Sequence, residues 1–372
     1  METKARAIAY YLPQYYPIPE NDEWWEKGFT EWTNVTKAKP LFPGHYQPNL
    51  PSELGFYDLR VPEVRIQQAQ LAKEHGIEGF CYWHYWFGNG KRILERIFKE
   101  VLETGSPDFP FCLAWANETW KGIWHGLDNQ ILAEQKYPGT EDYIAHFYEL
   151  LPAFQDKRYI RVNNKPLFVI YKPLDIPDIG FFMDLWNSLA KENALEGIYF
   201  VGHLFDYRRY QEVLNLGLDA VNVVRMNEVQ RQLPKPKLSF KEKFKYKLKN
   251  IPTNLPVYQY KDAINVLLGE ESKKDHIIPT AFPNWDHSPR SKGKTLILHD
   301  STPDLFRKHI RQAIKLVESK PKDENIIFIK SWNEWAEGNY LEPDRRYGRK
   351  YLEVLKEENT KEDDHYSNNP GL

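Results

Sequence analysis

Short runs of β-branched and aromatic residues alternate with amphipathic stretches along nearly the whole chain. Eight of these runs have the length and composition of buried strands. They are Ala5–Leu12, Gly79–Trp86, Phe109–Ala116, Pro166–Tyr171, Gly197–His203, Leu218–Val224, Ile277–Phe282 and Asn325–Ser331. Strands that alternate with helices are typical of parallel βαβ units, so the pattern predicts an α/β protein.

The stretches between these runs have the spacing of amphipathic helices. They are Pro62–His75, Lys91–Glu103, Glu141–Phe154, Phe181–Asn193, Tyr207–Leu216, Lys261–Leu268, Pro303–Ser319 and Tyr347–Glu358. Eight strands, each followed by a helix, predict a single (β/α)8 TIM barrel. Such a barrel needs about 250 residues, so the remainder of the 372 residues should form long βα loops. We assign residues 1–358 to the barrel and the polar residues 359–372 to a disordered tail.

Composition narrows the class of partner. The 50 basic and 52 acidic residues give a net charge of −2, which favours neither nucleic acid nor a polyanion as partner. The N-terminus has no apolar signal core and no apolar run is long enough to span a bilayer, so we expect a cytoplasmic protein. Lys235–Asn250 is basic and amphipathic. It is either a solvated helix on the barrel or a weak contact for an anionic glycan or a membrane surface.

Aromatic residues make up 15% of the chain and cluster near the predicted strand ends, where a barrel carries its active site. Aromatic rings stack on the apolar faces of sugars, so these ends predict a glycan pocket. The candidate contacts are Tyr11, His84, Trp86, Trp115, Asn117, Glu118, Tyr171, His203, Trp285, Trp332, Asn333 and Trp335. The two histidines are equally compatible with a structural role.

The strongest local signal is Glu334 and Glu337, spaced i, i+3 just after the eighth strand. In a helical turn their Cβ atoms would lie about 5–6 Å apart. Cleavage of a glycosidic bond uses two carboxyl groups, one to donate a proton and one to stabilise or remove charge. Crowding two carboxylates raises the pKa of one, so one stays protonated. The alternative is that they cap a helix or pair with Arg345 or Arg346.

Glu118 offers a second carboxylate at a strand end. It is an alternative proton donor, a contact for substrate hydroxyls, or a structural loop residue. The chain has no His-x-x-x-His, no pair of cysteines at ligand spacing and no nucleotide-binding glycine loop, so we expect neither a metal nor a cofactor. It also lacks the Asp-x-Asp pair that many nucleotide-sugar transferases use.

Several long motifs resemble the WbsX-type polysaccharide-biosynthesis proteins. They are Tyr11–Trp25, Gly28–Asn34, Gly44–Pro48, the Trp-Ala-Asn-Glu that begins at Trp115, and Ser331–Gly338. The resemblance runs from about Ala7 to about Tyr351. Residues 333–338 and 44–48 are also similar to glycoside hydrolase family 99, the endo-α-mannosidases, although Ala336 stands where those hydrolases tend to carry His.

The resemblance implies a mechanism for the two glutamates and substrate contacts at His45 and Tyr46. Glu334 would deprotonate the 2-hydroxyl of the sugar, which attacks the anomeric carbon and gives a 1,2-anhydro intermediate. Glu337 would protonate the leaving oxygen and then activate water, with net retention. An α-mannoside and an α-rhamnoside both fit this chemistry.

Three functions are therefore compatible with the sequence. The first is a retaining glycoside hydrolase or transglycosylase that acts on a polysaccharide or O-antigen-like glycan. The second is a glycosyltransferase of surface polysaccharide (lipopolysaccharide O-antigen) biosynthesis, which tight binding of a nucleotide sugar would favour. The third is a glycan-binding module without turnover, which unchanged behaviour of Glu334→Gln and Glu337→Gln would favour.

Overall fold

The eight predicted strands form one closed parallel barrel in a computed structural model that describes residues 2–122, 130–234, 255–291 and 296–361. The barrel strands are β1 (Arg6–Tyr11), β2 (Ile77–His84), β3 (Phe111–Trp115), β4 (Lys165–Ile170), β5 (Tyr199–Leu204), β6 (Ala220–Val223), β7 (Ile277–Ala281) and β8 (Ile326–Ile329). Each strand pairs with the next along the chain, and β8 closes the ring on β1 with Ala7 opposite Ile327. The predicted (β/α)8 barrel is confirmed.

A helix follows every strand. The helices are α1 (Pro62–Glu74), α2 (Arg96–Thr104), α3 (Thr140–Gln155), α4 (Ile179–Glu192), α5 (Tyr210–Asn215), α6 (Met226–Gln232), α7 (Pro303–Val317) and α8 (Lys350–Asn359). Local signals explain their ends: the Thr302 hydroxyl accepts a hydrogen bond from the Leu305 N–H before α7, and Gly105 ends α2 in the left-handed conformation.

One helix was missed, and three predicted helices differ from the structure in their extent. The helix that follows β6 is α6, which the sequence analysis missed, and the predicted helix Lys261–Leu268 is only a single turn, Tyr260–Ala263. The helices predicted to begin at Lys91 and Tyr347 begin at Arg96 and Lys350 instead. Hydrophobic spacing continues into the loops at these points, so it does not mark where the helices begin.

The two faces of each strand are both buried, one inside the barrel and one under the helices. On β1, the Tyr10 ring lies inside, stacked 4.8 Å from the rings of Trp83 and Phe328. Its neighbour Tyr11 points outward and donates a hydrogen bond of 2.7 Å to Gln68 Oε1 on α1. Because both faces are apolar, the strand sequences carry no polar alternation that distinguishes inside from outside.

Three long loops cover the C-terminal end of the barrel. The loop after β1 spans residues 12–61 and contains the short helices Pro19–Trp24 and Glu31–Lys37. The loop after β7 contains the one-turn helix Ser288–Ser291, and the loop after β8 contains a hairpin. These three loops contact one another above the barrel mouth, which is where the active site of such a fold lies.

Two predicted features fall wholly or mainly beyond the described ranges. Lys235–Asn250 lies outside them, as do residues 362–372 of the predicted tail. The first residue of that tail, Asn359, ends α8, and its buried side chain hydrogen-bonds both the N–H and the carbonyl oxygen of Ala5. Within the described ranges, no helix combines the length and the apolar character needed to cross a membrane.

Candidate active site

The loop after β8 folds into a tight hairpin that carries both predicted catalytic residues. Asn333 and Glu334 pair with residues 339–340, and Trp335–Glu337 form a 3-10 turn between them. The Ser331 hydroxyl accepts a hydrogen bond of 2.9 Å from the Glu334 N–H. Gly338 closes the turn with φ +52°, and a Cβ there would lie 2.7 Å from the Asp286 Cβ. Only glycine fits at this position, so the hairpin has little freedom to move Glu337.

Both glutamates bind the same guanidinium, Arg290. Its Nη1 donates to Glu337 Oε1 at 2.6 Å, and its Nη2 donates to Glu334 Oε2 at 3.1 Å. Within the described chain, the ion-pair partner of the two carboxylates is therefore Arg290 and not Arg345 or Arg346. A forked contact of this kind fixes two carboxylates beside each other in a set geometry.

Arg290 also contacts a third carboxylate, which sequence reasoning did not identify. Glu31 Oε2 lies 3.0 Å from Arg290 Nη2, and its side chain is 4% exposed. Glu31 begins the short helix Glu31–Lys37 in the loop after β1. It belongs to the motif Gly28–Asn34 that supported the family resemblance, and that motif was the available signal for its importance. Nothing in the sequence marks Arg290.

The surroundings push the pKa values of the two glutamates apart. Burial and the neighbouring Glu337 raise the pKa of Glu334 to about 8. Burial opposes ionisation of Glu337 as well, but Arg290 and then His287 outweigh it and hold the pKa of that carboxyl well below its usual range. The His287 Nε2 lies 3.4 Å from Glu337 Oε1. At neutral pH the couple therefore holds one proton, on Glu334.

Aromatic and basic side chains form the floor beneath the couple. The Lys330 ammonium lies 5.8 Å from the ring centres of both Tyr10 and Trp83. The Tyr171 ring lies 5.6 Å from Trp83 and 5.0 Å from His203, so these two predicted contacts lie inside the barrel. Burial and the charges of Glu118, Glu337 and Glu334 raise the pKa of Tyr171, which stays neutral.

Lys330 and Trp83 were missed by the sequence analysis, and so was Tyr85. Tyr85 is buried, and burial raises its pKa, as does its proximity to the charge of Glu334. On β2 the inward positions alternate, so Trp83 and Tyr85 follow from one another once the face of a single residue is known. The sequence shows that side chains alternate along β2, but it does not show which alternate set points into the barrel.

The predicted contacts His84, Trp86 and Trp115 require a correction. They point outward and surround His146 of α3, with His84 Nε2 2.8 Å from His146 Nε2 and the Trp86 ring stacked 4.6 Å from the His146 ring. Trp86 Nε1 donates to Asp142 at 3.0 Å. Burial lowers the pKa of His84 to about 3, so it stays neutral. The structure does not bring these three residues to the pocket, because they lie on the helix-facing side.

Four further predicted contacts hold the loops and the barrel together instead of facing the pocket. Tyr11 binds Gln68, Trp332 is fully buried, and Trp335 donates from Nε1 to Glu342 at 2.6 Å. Asn333 bonds both the N–H and the carbonyl oxygen of Leu12, at 2.8 and 3.0 Å. The structure does not bring these four residues to the pocket, because Tyr11, Asn333 and Trp335 are hydrogen-bonded within the protein and Trp332 is fully enclosed by it.

Asn117 and Glu118 lie at the rim and have different surroundings. Asn117 is buried and bonds both the N–H and the carbonyl oxygen of Lys172, so it ties the ends of β3 and β4 together. Glu118 is half-exposed and pairs with the Lys172 ammonium at 2.6 Å. Its carboxylate makes no contact with Arg290 within the described chain, which separates it from the couple.

The remaining predicted contacts, His45, Tyr46 and Trp285, lie around a cavity that the hairpin residues Gly338 and Tyr340 also line. His45 Nε2 lies 2.6 Å from Asp286 Oδ2, and His45 Nδ1 accepts from the Leu41 N–H, so both ring nitrogens are occupied. Tyr46 is 41% exposed, and the half-buried Trp285 stacks 6.1 Å from His287. His45, Tyr46 and Trp285 line this small cavity together with Asp286 and Gly338. The structure describes no cluster of three potential metal ligands anywhere in these ranges.

Comparison with known proteins agrees with this architecture. The sequence profile of the family described as "Glycosyltransferase WbsX" matches residues 7–355. A protein described as "Uncharacterized protein WxcX", from Xanthomonas campestris pv. campestris (strain B100), is 34% identical over 363 residues, which is 97% of this chain and 50% of WxcX. The chain therefore spans about half the length of this curated relative.

Two solved structures share the fold. One, described as a glycoside hydrolase-like protein, superposes with a TM-score of 0.59 at 16% identity, covering 96% of this chain and 94% of the other. The GH99 endo-α-mannosidase from Bacteroides thetaiotaomicron superposes with a TM-score of 0.53 at 14% identity, covering 96% and 97%. At these identities the comparison supports the fold alone.

Proposed function

Since this chain belongs to the WbsX glycosyltransferase family, we propose that it is a carbohydrate-active enzyme that cleaves a glycosidic bond with retention, through Glu334 and Glu337. The observation that carries the proposal is the pair of buried carboxyl groups that Arg290 holds side by side, with the pKa of Glu334 raised and that of Glu337 lowered by their surroundings. Glycoside cleavage needs one carboxyl group that can donate a proton and one that can accept one. The couple supplies both at neutral pH.

The resting charges favour the reverse of the roles that the family resemblance implies. Glu334 holds the proton that a departing oxygen needs, and Glu337 is ionised and able to accept one. In the proposed first step, Glu337 takes the proton of the sugar 2-hydroxyl and the freed oxygen bonds to the anomeric carbon. The bond to the leaving oxygen breaks, and that oxygen takes the proton of Glu334.

The second step restores the couple. Water attacks the anomeric carbon of the 1,2-anhydro sugar and gives one proton to Glu334, now ionised. The bond between the anomeric carbon and the epoxide oxygen breaks, and that oxygen takes the proton that Glu337 holds and becomes the 2-hydroxyl again. Two inversions give net retention. The proposed substrate is a polysaccharide or O-antigen-like glycan whose 2-hydroxyl can reach the anomeric carbon, such as an α-mannoside or α-rhamnoside.

The neighbouring groups support this chemistry. Trp83 and Tyr171 give the pocket floor two aromatic rings that lie 5.6 Å apart, edge to face. Lys330 and Arg290 keep the pocket from accumulating uncompensated negative charge as the proton moves. Every group in these steps belongs to the chain itself.

The test is a reducing-end assay on mannans, rhamnans and O-antigen-type oligosaccharides. We expect new reducing ends with the wild type and a loss of about 10²-fold or more in kcat/KM for Glu334→Gln and for Glu337→Gln. Glu149→Gln, on the outer surface, is the matched control. Turnover that survives both changes at the site would contradict the proposal.

Aryl glycosides then separate the roles of the two glutamates. A substrate with a strongly acidic phenol as leaving group does not need a proton donor, so the variant that lacks the donor should keep most of its activity on it. We expect Glu334→Gln to be rescued in this way and Glu337→Gln to remain inactive. Rescue of Glu337→Gln instead would restore the roles implied by the resemblance.

The family description favours a second candidate, a transferase. The same couple would then pass the glycosyl group to a sugar hydroxyl in place of water, or a nucleotide sugar would act as donor. Product analysis by mass spectrometry with an oligosaccharide acceptor distinguishes the two, because transfer lengthens the acceptor and hydrolysis does not. Binding of a nucleotide sugar, measured by calorimetry, would favour a transferase that uses a nucleotide sugar as its glycosyl donor.

A further inference from the structure

Glu31, the third carboxylate on Arg290, has no part in the steps above. It comes from the loop after β1, whereas Arg290 comes from the loop after β7 and the couple from the loop after β8. Its side chain is almost fully buried against Arg290. A buried carboxylate is costly to keep unless a cation stabilises it, so its placement on Arg290 is a specific feature of the site.

The three carboxylates do not share Arg290 equally. Nη1 donates to Glu337 alone, at 2.6 Å. Nη2 faces two carboxylates at nearly the same distance, Glu31 at 3.0 Å and Glu334 at 3.1 Å. Among the described residues Glu337 therefore has Nη1 to itself, while Nη2 hydrogen-bonds Glu334 and also faces Glu31, whose Oε2 makes a charge contact without a hydrogen bond. The carboxylate with the shorter and unshared contact is the one that ionises more easily.

The other charged groups around the couple act in two ways. His287 lies beside Glu337, which adds to the preference for an ionised Glu337. Lys330 lowers the pKa of both glutamates and so does not distinguish them. Tyr85 faces the couple with its pKa raised by burial and is neutral. Among the described residues, Glu337 and then Glu31 are the charged groups that oppose ionisation of Glu334, and Glu31 is the one that lies outside the couple.

We propose that Glu31 is a positioning residue that keeps the single proton of the couple on Glu334, because its negative charge lies beside Arg290 Nη2 and offsets part of the guanidinium charge that faces Glu334. Its catalytic meaning rests on the proposed function, but the proton placement is a property of the free protein. Replacing Glu31 with the isosteric Gln removes the charge and leaves Nη2 to Glu334. Glu334 should then lose its proton at a pH lower by about one unit or more.

The experiment follows the carboxylic acid band of the free protein by pH-difference infrared spectroscopy. In the wild type, two buried carboxyl groups should titrate near neutrality, Glu334 at about 8 and Glu342 at about 7. Loss of one band in Glu334→Gln and of the other in Glu342→Gln assigns them. In Glu31→Gln we expect the Glu334 band to disappear at lower pH and the Glu342 band to stay in place.

Two further variants keep the test decisive. Glu31→Asp withdraws the carboxylate from Nη2 by one methylene but keeps its charge, so it should shift the Glu334 band in the same direction by a smaller amount. Glu118→Gln removes a carboxylate from the rim, away from Arg290, and should leave the band where it is. A Glu334 band that does not move in either Glu31 variant, in proteins that melt cooperatively, would overturn the proposal.

The activity assay gives a second readout. If the enzyme turns over, the alkaline limb of the pH–rate profile should move to lower pH in Glu31→Gln by the same amount as the infrared band. If no glycan is cleaved while the band shifts as expected, the proton placement stands and the hydrolase proposal fails. If the enzyme cleaves a glycan but the Glu334 band stays fixed in the Glu31 variants, the hydrolase proposal stands and the role proposed for Glu31 fails.

Discussion

Two buried glutamates in the loop after β8 have similarly raised pKa values and quite different surroundings. Glu334 binds Arg290, next to a second carboxylate and above the open end of the barrel. Glu342 accepts hydrogen bonds from three neutral donors, Tyr57 at 2.9 Å and Gln68 and Trp335 at 2.6 Å each, and makes no ion pair with any other described residue.

Burial is the main reason that both carboxyl groups resist ionisation, the pKa of Glu342 rising to about 7. A raised pKa therefore does not by itself identify a catalytic acid. The carboxylate oxygens of Glu342 accept hydrogen bonds from Gln68 of α1, Tyr57 of the loop after β1 and Trp335 of the hairpin. Glu342 therefore connects these three parts of the fold. Glu334 has a partner that a substrate can share, so it can take part in chemistry.

The largest expected effect comes from removing the cation of the first site. Arg290→Met leaves three buried carboxylates without their guanidinium, and we expect a loss of about 3–5 kcal/mol in the free energy of unfolding. Urea unfolding at pH 7 measures it. Arg290→Lys keeps the charge but loses the fork, and should recover part of the stability while activity stays low. If Arg290→Met were as stable as the wild type, the carboxyl groups around Arg290 would need a cationic partner no more than Glu342 does.

Glu342→Gln tests the second site at pH 5, where the carboxyl group is neutral. The amide offers one acceptor and one donor group to three donors, so at least one buried donor loses its partner, which costs about 1–3 kcal/mol. Thermal melting and urea unfolding measure the loss. Activity on a cleaved glycan should fall far less than in Glu334→Gln. An equal fall would mean that Glu342 acts in the reaction.

Glu334→Gln should remove a dependence of stability on pH that the wild type has. The pKa of Glu334 is raised in the folded state, so between about 4.3 and about 8 the folded protein holds a proton that the unfolded chain has released. The stability of the wild type therefore falls as pH rises through this window. The variant lacks this loss and should gain at least about 1 kcal/mol on the wild type between pH 5 and pH 9 in urea unfolding. Parallel curves for the two proteins would refute the raised pKa.

The smallest effect is expected at the rim. Glu118→Gln removes one half-exposed partner of Lys172, and exposed pairs of this kind contribute about 0.5 kcal/mol or less. Its unfolding curve should overlay that of the wild type within this margin at low and high salt. A larger loss would place Glu118 among the buried carboxylates instead of outside them.

The barrel and the proximity of Glu334 to Glu337 were predictable from the sequence because both depend on local patterns. The eight apolar runs fix eight strands, and Glu334 and Glu337 follow the last of them within one turn. The phase of the inward face was not predictable, because both faces of a parallel strand are apolar. Tyr171 and His203 were therefore placed inside and His84 and Trp115 outside by the fold, although all four end strands.

Arg290 and Glu31 lay beyond sequence reasoning for another reason. They reach the couple from loops after β7 and β1, whose paths depend on long-range contacts such as that between His45 and Asp286. A sequence pattern reports neighbours along the chain, and these residues become neighbours only after the barrel has closed. The long motifs of the loop after β1 pointed to that loop but not to the partner of any residue in it.

The closure of β8 on β1 also sets the time at which the site can exist during synthesis. Glu31 and Arg290 are separated by 259 positions (290 − 31), and the pairing strand of β1 is made later still. At about 5–20 residues per second, the ribosome needs on the order of ten seconds to one minute to add that length. Throughout this interval Glu31, in the loop after β1, lacks its ion-pair partner Arg290. Strand β1 likewise lacks β8, the second of the two strands that it pairs with. We therefore expect the nascent chain to depend on chaperones until its last strand is made, and to be inert until then.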